Sequence, residues 1–305
     1  MGRVNHEFAR TTVTAADGAR LAVFTAEPAD LAPDAPTVVM SHGWTLSHRS
    51  WEPVAQRLLD RGGVRVVLWD QRGHGDSTFA GGRMRPGDET VRALGEDLAS
   101  VVAETAPEGS PVIVAGHSMG GMTVMAFAGL HPGLLGEKVI GAVLVSTSSG
   151  QLRGFTVPGE KWIVKALKHV PLRPGRLVTL ASQRRGGFGI DPRDEDVRAA
   201  RDQIAATRIS TSGAFYTALM AHDELAALAA LSKVPVRILV GSRDLLTPKR
   251  HSIALAEAMP DAHLDIVDGR GHMLTYEEPD LVTDAIGDVI TQAGANDQGS
   301  AVTSA

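Results

Sequence analysis

Apolar and polar positions follow two periods along this chain, and the switches between them mark its elements. Between Phe8 and Glu27, the runs Thr11–Thr14 and Leu21–Phe24 flank Asp17-Gly18, a two-residue turn signal, so the segment predicts a β-hairpin. A proline-rich loop leads to a short apolar strand, Thr37–Met40, that ends in Ser41-His42-Gly43-Trp44. The period then changes. Trp51, Val54, Ala55, Leu58 and Leu59 fall on one helical face, with Ser50 as N-cap, Pro53 in the first turn and Gly62-Gly63 as the stop. Arg65–Trp69, Val112–Ala115, Val139–Val145, Val236–Val240 and His263–Val267 read as buried strands. Helical periods fill the gaps at 91–102, at Met119–Leu130 and near Lys249–Met259, and a last helix spans Leu281–Ile290.

The alternation breaks between about Gly150 and Leu231, where segments are helical or irregular. Apolar strands alternating with helices predict an α/β fold, a mainly parallel central sheet with helices on both faces. The antiparallel hairpin sits at its N-terminal edge. The expected organisation is a core of 1–149 and 232–292, a helical insertion of 150–231 after the sixth strand, and a disordered polar tail at 293–305.

Composition narrows the chemistry. The 305 residues, 43% apolar and 21% charged, suit one large α/β domain. A net charge of −5 without a basic stripe argues against a nucleic-acid partner. The absence of cysteine excludes disulfides, thiolate metal sites and a cysteine nucleophile. No histidine pair has metal spacing with a carboxylate, so neither metal nor cofactor is expected. The polar stretch Met1–Arg10 shows no signal peptide and no apolar run reaches ~20 residues, so a cytoplasmic protein without a membrane span is expected. The pattern leaves the oligomeric state open.

Gly116-His117-Ser118-Met119-Gly120 matches Gly-x-Ser-x-Gly between the strand ending at Ala115 and the helix starting near Met119. That is the setting of a nucleophile elbow, a sharp strand-to-helix turn that exposes a serine. The elbow is where the chain resembles the α/β-hydrolase superfamily, particularly its esterases, lipases and serine-type perhydrolases. Gly116–Gly121 is also similar to monoacylglycerol-lipase-like enzymes. The resemblance runs from the hairpin to about Ile290 and is loosest in the insertion, which falls where the family places its cap.

A serine hydroxyl needs a base, and the base an orienting acid. The family order is serine, acid, histidine. Gly241-Ser242-Arg243-Asp244, with Pro248 beyond, resembles its acid loop, and Gly269-Arg270-Gly271-His272 its histidine loop. The resemblance therefore implies Ser118, Asp244 and His272 as the triad. Asp268 and Asp223 are weaker candidates for the acid. His42-Gly43-Trp44 resembles the oxyanion loop, which implies the backbone N–H groups of Trp44 and Met119 as donors. Asp70–Ser77 is similar to the Asp-x-Arg-Gly-x-Gly-x-Ser loop of epoxide hydrolases and esterases and reads as structural. Epoxide hydrolases carry an aspartate where this chain has Ser118.

Trp44, Met119, Phe215 and Leu219 are the expected substrate-pocket side chains, and Trp162, Ile163, Leu167, Leu180, Phe188 and Met220 are further apolar cap residues. The implied activity is hydrolysis of a small, largely apolar carboxylic ester through an acyl-enzyme. The alternatives are perhydrolase or carbon–carbon bond hydrolase activity at the same triad and, further off, a non-catalytic binding protein of this fold. Nine cap arginines, from Arg153 to Arg208, leave room for an anionic substrate.

Overall fold

A computed structural model describes residues 6–152 and 166–303, with side chains to residue 295. Trp162, Ile163 and Arg153 lie outside the described residues. One eight-stranded sheet forms the centre. Its strands are β1 (Ala9–Thr14), β2 (Arg20–Ala26), β3 (Thr37–Ser41), β4 (Arg65–Trp69), β5 (Val112–His117), β6 (Val139–Val145), β7 (Val236–Gly241) and β8 (His263–Val267). Their spatial order is β1-β2-β4-β3-β5-β6-β7-β8. The pairs β1–β2 and β2–β4 are antiparallel and every other pair is parallel.

Strand period decides which face each residue supplies. Val39, Val67, Val114, Leu144 and Ile238 pack on one face with α2 (Val91–Thr105) and α3 (Met119–Leu130). Val38, Met40, Val66, Leu68, Ile113 and Val143 pack on the other face, with α1 (Glu52–Arg61) and the C-terminal helix, Pro279–Thr303. Ten consecutive residues of α3, Met119–Ala128, are buried, as suits an apolar helix enclosed on all sides. At the α2–α3 crossing, a Cβ on Gly95 would stand 2.8 Å from Phe127 N, so the close approach requires glycine.

Between β6 and β7 lie α4 (Leu180–Gly187), α5 (Asp194–Ala206), α6 (Ile209–Met220) and a short helical turn, Leu228–Leu231. Beyond β7 come α7 (Arg250–Ala258), a second turn, Leu274–Glu277, and α8, the helix Pro279–Thr303.

Two local expectations are corrected. The hairpin turn spans five residues: Ala15 N–H donates to Ala19 O and Gly18 N–H to Ala15 O, with Gly18 at φ 80°. Asp17-Gly18 supplies the tip, and Asp17 Oδ1 accepts Ala19 N–H at 3.0 Å. Ser50 does not cap α1. It lies in a 3₁₀ turn, His48–Trp51, where its hydroxyl bonds Ser47 O, and Trp51 holds the cap position. The last helix extends through Thr303.

Candidate active site

Ser118 occupies the tip of the turn from β5 to α3, at φ 54° and ψ −117°. This conformation is strained for a residue with a Cβ. The turn survives because its neighbours are glycines. A Cβ on Gly116 would lie 2.3 Å from Gly120 O, and one on Gly120 would lie 2.0 Å from Ser41 O. Ser118 N–H donates to Val145 O, while its carbonyl accepts Gly121 N–H and the Thr147 hydroxyl.

The loops after β7 and β8 bring the other two residues together. His272 Nδ1 lies 2.8 Å from Asp244 Oδ2, and both side chains are buried. An ionised carboxylate only accepts, so Nδ1 carries the proton and Nε2 keeps its lone pair. Burial raises the Asp244 carboxyl, but the facing His272 ring, Thr247 N–H and the Thr247 hydroxyl outweigh it and hold the group below the usual carboxylate range. Asp244 Oδ1 also accepts Leu246 N–H at 2.9 Å.

Asp268 faces elsewhere: its Oδ1 accepts the Ser242 hydroxyl at 3.1 Å. Asp223 Oδ1 accepts Leu225 N–H. Among the described hydrogen bonds none joins Ser118 Oγ to His272. The two side chains meet as walls of one cavity of about 350 Å³.

The main chain of His272 is gripped on both sides. Its N–H donates to Gly187 O at 2.9 Å, as Met273 N–H does at 3.1 Å. Its carbonyl lies 2.9 Å from His117 Nε2. Glu277 accepts Gly189 N–H and Gly271 N–H, tying the segment after α4 to the histidine loop.

The loop after β3 is braced by buried neutral histidines. His42 Nδ1 faces Gly43 O at 2.7 Å, and its Nε2 accepts Gln71 N–H at 2.9 Å. Burial pushes His42 down to about 4. Thr45 N–H donates to His74 Nε2. Among the described loop and cap hydrogen bonds, neither Trp44 N–H nor Met119 N–H has a partner, so both amides remain available as donors.

Arg72 grips buried Asp97 through two bonds of 2.6 Å and reaches Asp17 at 2.7 Å, tying the 70–77 loop to α2 and the hairpin. A Cβ on Gly75 would strike the Asp70 carboxylate at 2.1 Å. These contacts hold the loop in place between α2 and the hairpin.

The pocket itself differs from the expectation. Trp44 lines it, but the Met119, Phe215 and Leu219 side chains lie in the main hydrophobic core, with Phe215 packed between Phe79 and His74. The walls come instead from Leu46, Gln183, Ile204, Leu246 and Met273, together with serines 182 and 212. Only the tertiary approach of α4–α6 reveals them. Thr247 was also missed, although a threonine three residues after an aspartate is a recognisable local hydrogen-bonding pattern. A larger cleft of about 670 Å³ opens beside α5, walled by Glu52, Asp76, Asp202 and Arg173, and does not contain the serine.

No helix among the described residues is long and apolar enough to cross a membrane, and no cluster there could hold a metal ion. The sn-1-specific diacylglycerol lipase of Mus musculus is 24% identical over 264 residues, covering 82% of this chain and 80% of that protein. A thermophilic esterase from Thermogutta terrifontis shares the fold with a TM-score of 0.74 and 22% identity, covering 93% of this chain and 99% of its own. The enol-lactonase from Burkholderia xenovorans does so at 0.74 and 21%, covering 92% and 100%. The family model described as serine aminopeptidase, S33, matches residues 32–280. The chain therefore belongs to the serine aminopeptidase S33 family of α/β hydrolases.

Proposed function

We propose that the protein is a serine hydrolase that cleaves small, neutral, largely apolar carboxylic esters without a cofactor. The observation that carries this reading is one cavity holding Ser118 at a strained elbow and His272 already hydrogen-bonded to Asp244, with no Asp, Glu, Lys or Arg among its described walls. Ser118 Oγ attacks the ester carbonyl as His272 Nε2 takes its proton. Asp244 fixes the tautomer and stabilises the imidazolium. Trp44 N–H and Met119 N–H receive the oxyanion. His272 returns the proton to the leaving alcohol, and water, activated by the same ring, then releases the acid. The segment between β6 and β7 acts as the cap over the site.

The described lining also favours an ester over an aminopeptidase substrate. An aminopeptidase must hold a protonated amine, yet no carboxylate faces Ser118 among the described residues. The described cap arginines do not line the pocket either; Arg184, Arg193, Arg198 and Arg201 pair with cap carboxylates.

The test has two parts. Fluorophosphonate should label Ser118, as read by peptide mass spectrometry. Then kcat/KM is compared for matched neutral and carboxylate-bearing p-nitrophenyl esters at two salt concentrations, beside amino-acid amides and a peroxide-dependent assay. Neutral esters should lead, with little salt dependence. A salt-sensitive preference for the anionic ester, or faster turnover of the amides or of the peroxide reaction, refutes the assignment.

A further inference from the structure

We propose that His117, the residue before the nucleophile, is a positioning residue that holds His272 and the oxyanion loop in register with Ser118. The inference rests on the serine-hydrolase reading above and deepens it. His117 ends β5 and pairs with Val145 of β6, so its backbone is fixed in the ladder. Its ring is fully buried and sits 4.9 Å from the His272 ring, centroid to centroid. His117 Nε2 lies 2.9 Å from His272 O. A carbonyl only accepts, so Nε2 must carry the hydrogen. Nδ1 is then a lone pair, and it is buried without a partner. That nitrogen packs on the loop bearing Trp44: a Cβ added to Gly43 would stand 2.9 Å from it. One ring thus joins three parts: the strand that carries the nucleophile, the main chain of the base and the loop of an oxyanion donor.

The chemistry needs such a grip. During the reaction His272 gains a proton beside Ser118 and must return it to the leaving group without swinging away. His117 does not compete for that proton. Burial, and then the neighbouring His272 charge, push it down to about 3; Asp244 and His42 also face it. It stays neutral while His272 is protonated, and the hydrogen bond to the carbonyl persists.

Two variants separate the donor from the bulk. In His117→Gln, an amide nitrogen reaches the position of Nε2. In His117→Phe, the ring volume stays and the donor is lost. With folding confirmed by thermal melts, His117→Phe should lower kcat on p-nitrophenyl butyrate about tenfold or more with KM within about threefold, and His117→Gln should recover to within about threefold of the parent. Parental kcat in folded His117→Phe, a loss confined to KM, or equal losses in both variants overturns the proposal.

Should His117→Phe fail to fold, ¹⁵N NMR of the unmodified protein decides. An Nε2–H tautomer that does not titrate between about pH 5 and 9 is expected; an Nδ1–H tautomer, or protonation in that range, overturns the assignment. A chain with the expected tautomer that neither labels with fluorophosphonate nor hydrolyses esters refutes the serine-hydrolase reading and the positioning role together. An active chain that fails the tautomer or variant test refutes only the role of His117.

Discussion

At the residue scale, Ser118→Ala keeps the elbow backbone and removes the oxygen proposed to form the acyl-enzyme. Turnover should fall about 10³-fold or more with labelling abolished and the melting curve retained. Near-parental ester turnover in a clean preparation would remove Ser118 from the mechanism. The proposed acid is tested by contrast. Asp244→Asn removes the negative charge facing His272 Nδ1 and should cost about 10²-fold or more in kcat. Asp268 bonds only Ser242 among the described side chains, so Asp268→Asn should cost far less; a reversed ranking would reassign the acid. That Ser118, Asp244 and His272 come together was legible because each stands in a short motif at the end of a strand. Phe215 and Leu219 were misread because an apolar residue on an inserted helix carries no local mark of which neighbour it meets. Both meet the core.

At the element scale, the joints that set the site are polar and buried. Asp97 lies fully buried on α2 and pairs with Arg72, whose side chain is 5% exposed. Asp97→Ala leaves the guanidinium short of its bidentate partner and should cost about 3–5 kcal/mol of stability. Urea unfolding should show a lower midpoint, while kcat per labelled serine stays near the parent value. A small shift in the midpoint would mean that Asp17 and Glu89 together satisfy Arg72. Sheet and helices were readable from period: two-residue alternation in β3, β4, β5 and β7 sorts side chains between the two faces. Turn detail was less readable. The hairpin signal Asp17-Gly18 was correct in place and wrong in length, because Gly18 enters a left-handed bulge that closes five residues. The start of α1 was displaced by the 3₁₀ turn that brings His48 onto Asp70 at 2.8 Å.

At the scale of the whole molecule, buried histidines make stability depend on pH. His42 and His222 are pushed down to about 4, and His74 and His117 to about 3, in each case chiefly by burial. In the unfolded chain the same rings titrate near ~6.5. Below that pH the unfolded state binds protons that the native state refuses. Stability is therefore full above about 6.5 and is lost as pH falls toward 4 and then 3, at up to about 1.4 kcal/mol per pH unit for each ring. Burial also pushes Asp97 up to about 6, which offsets part of this loss. Urea midpoints should drop steeply between pH 6.5 and 4, as about the range set by these groups. A flat profile there would mean that the rings gain protons without unfolding. The sequence showed that there are eleven histidines, but only the fold separates these four from the other seven.

The Gly187 carbonyl, which receives both His272 N–H and Met273 N–H, has an implication for engineering. The helices between β6 and β7 do not form an exchangeable cassette. A chimera that transplants another protein's segment between these strands would discard the acceptor that holds the His272 main chain, even if the graft folded well and presented a suitable cavity. A transplant that keeps Gly187–Ile190 together with its partners at 269–277 preserves that joint, so the practical splice point lies upstream of α4's last turn and not at the ends of the strands.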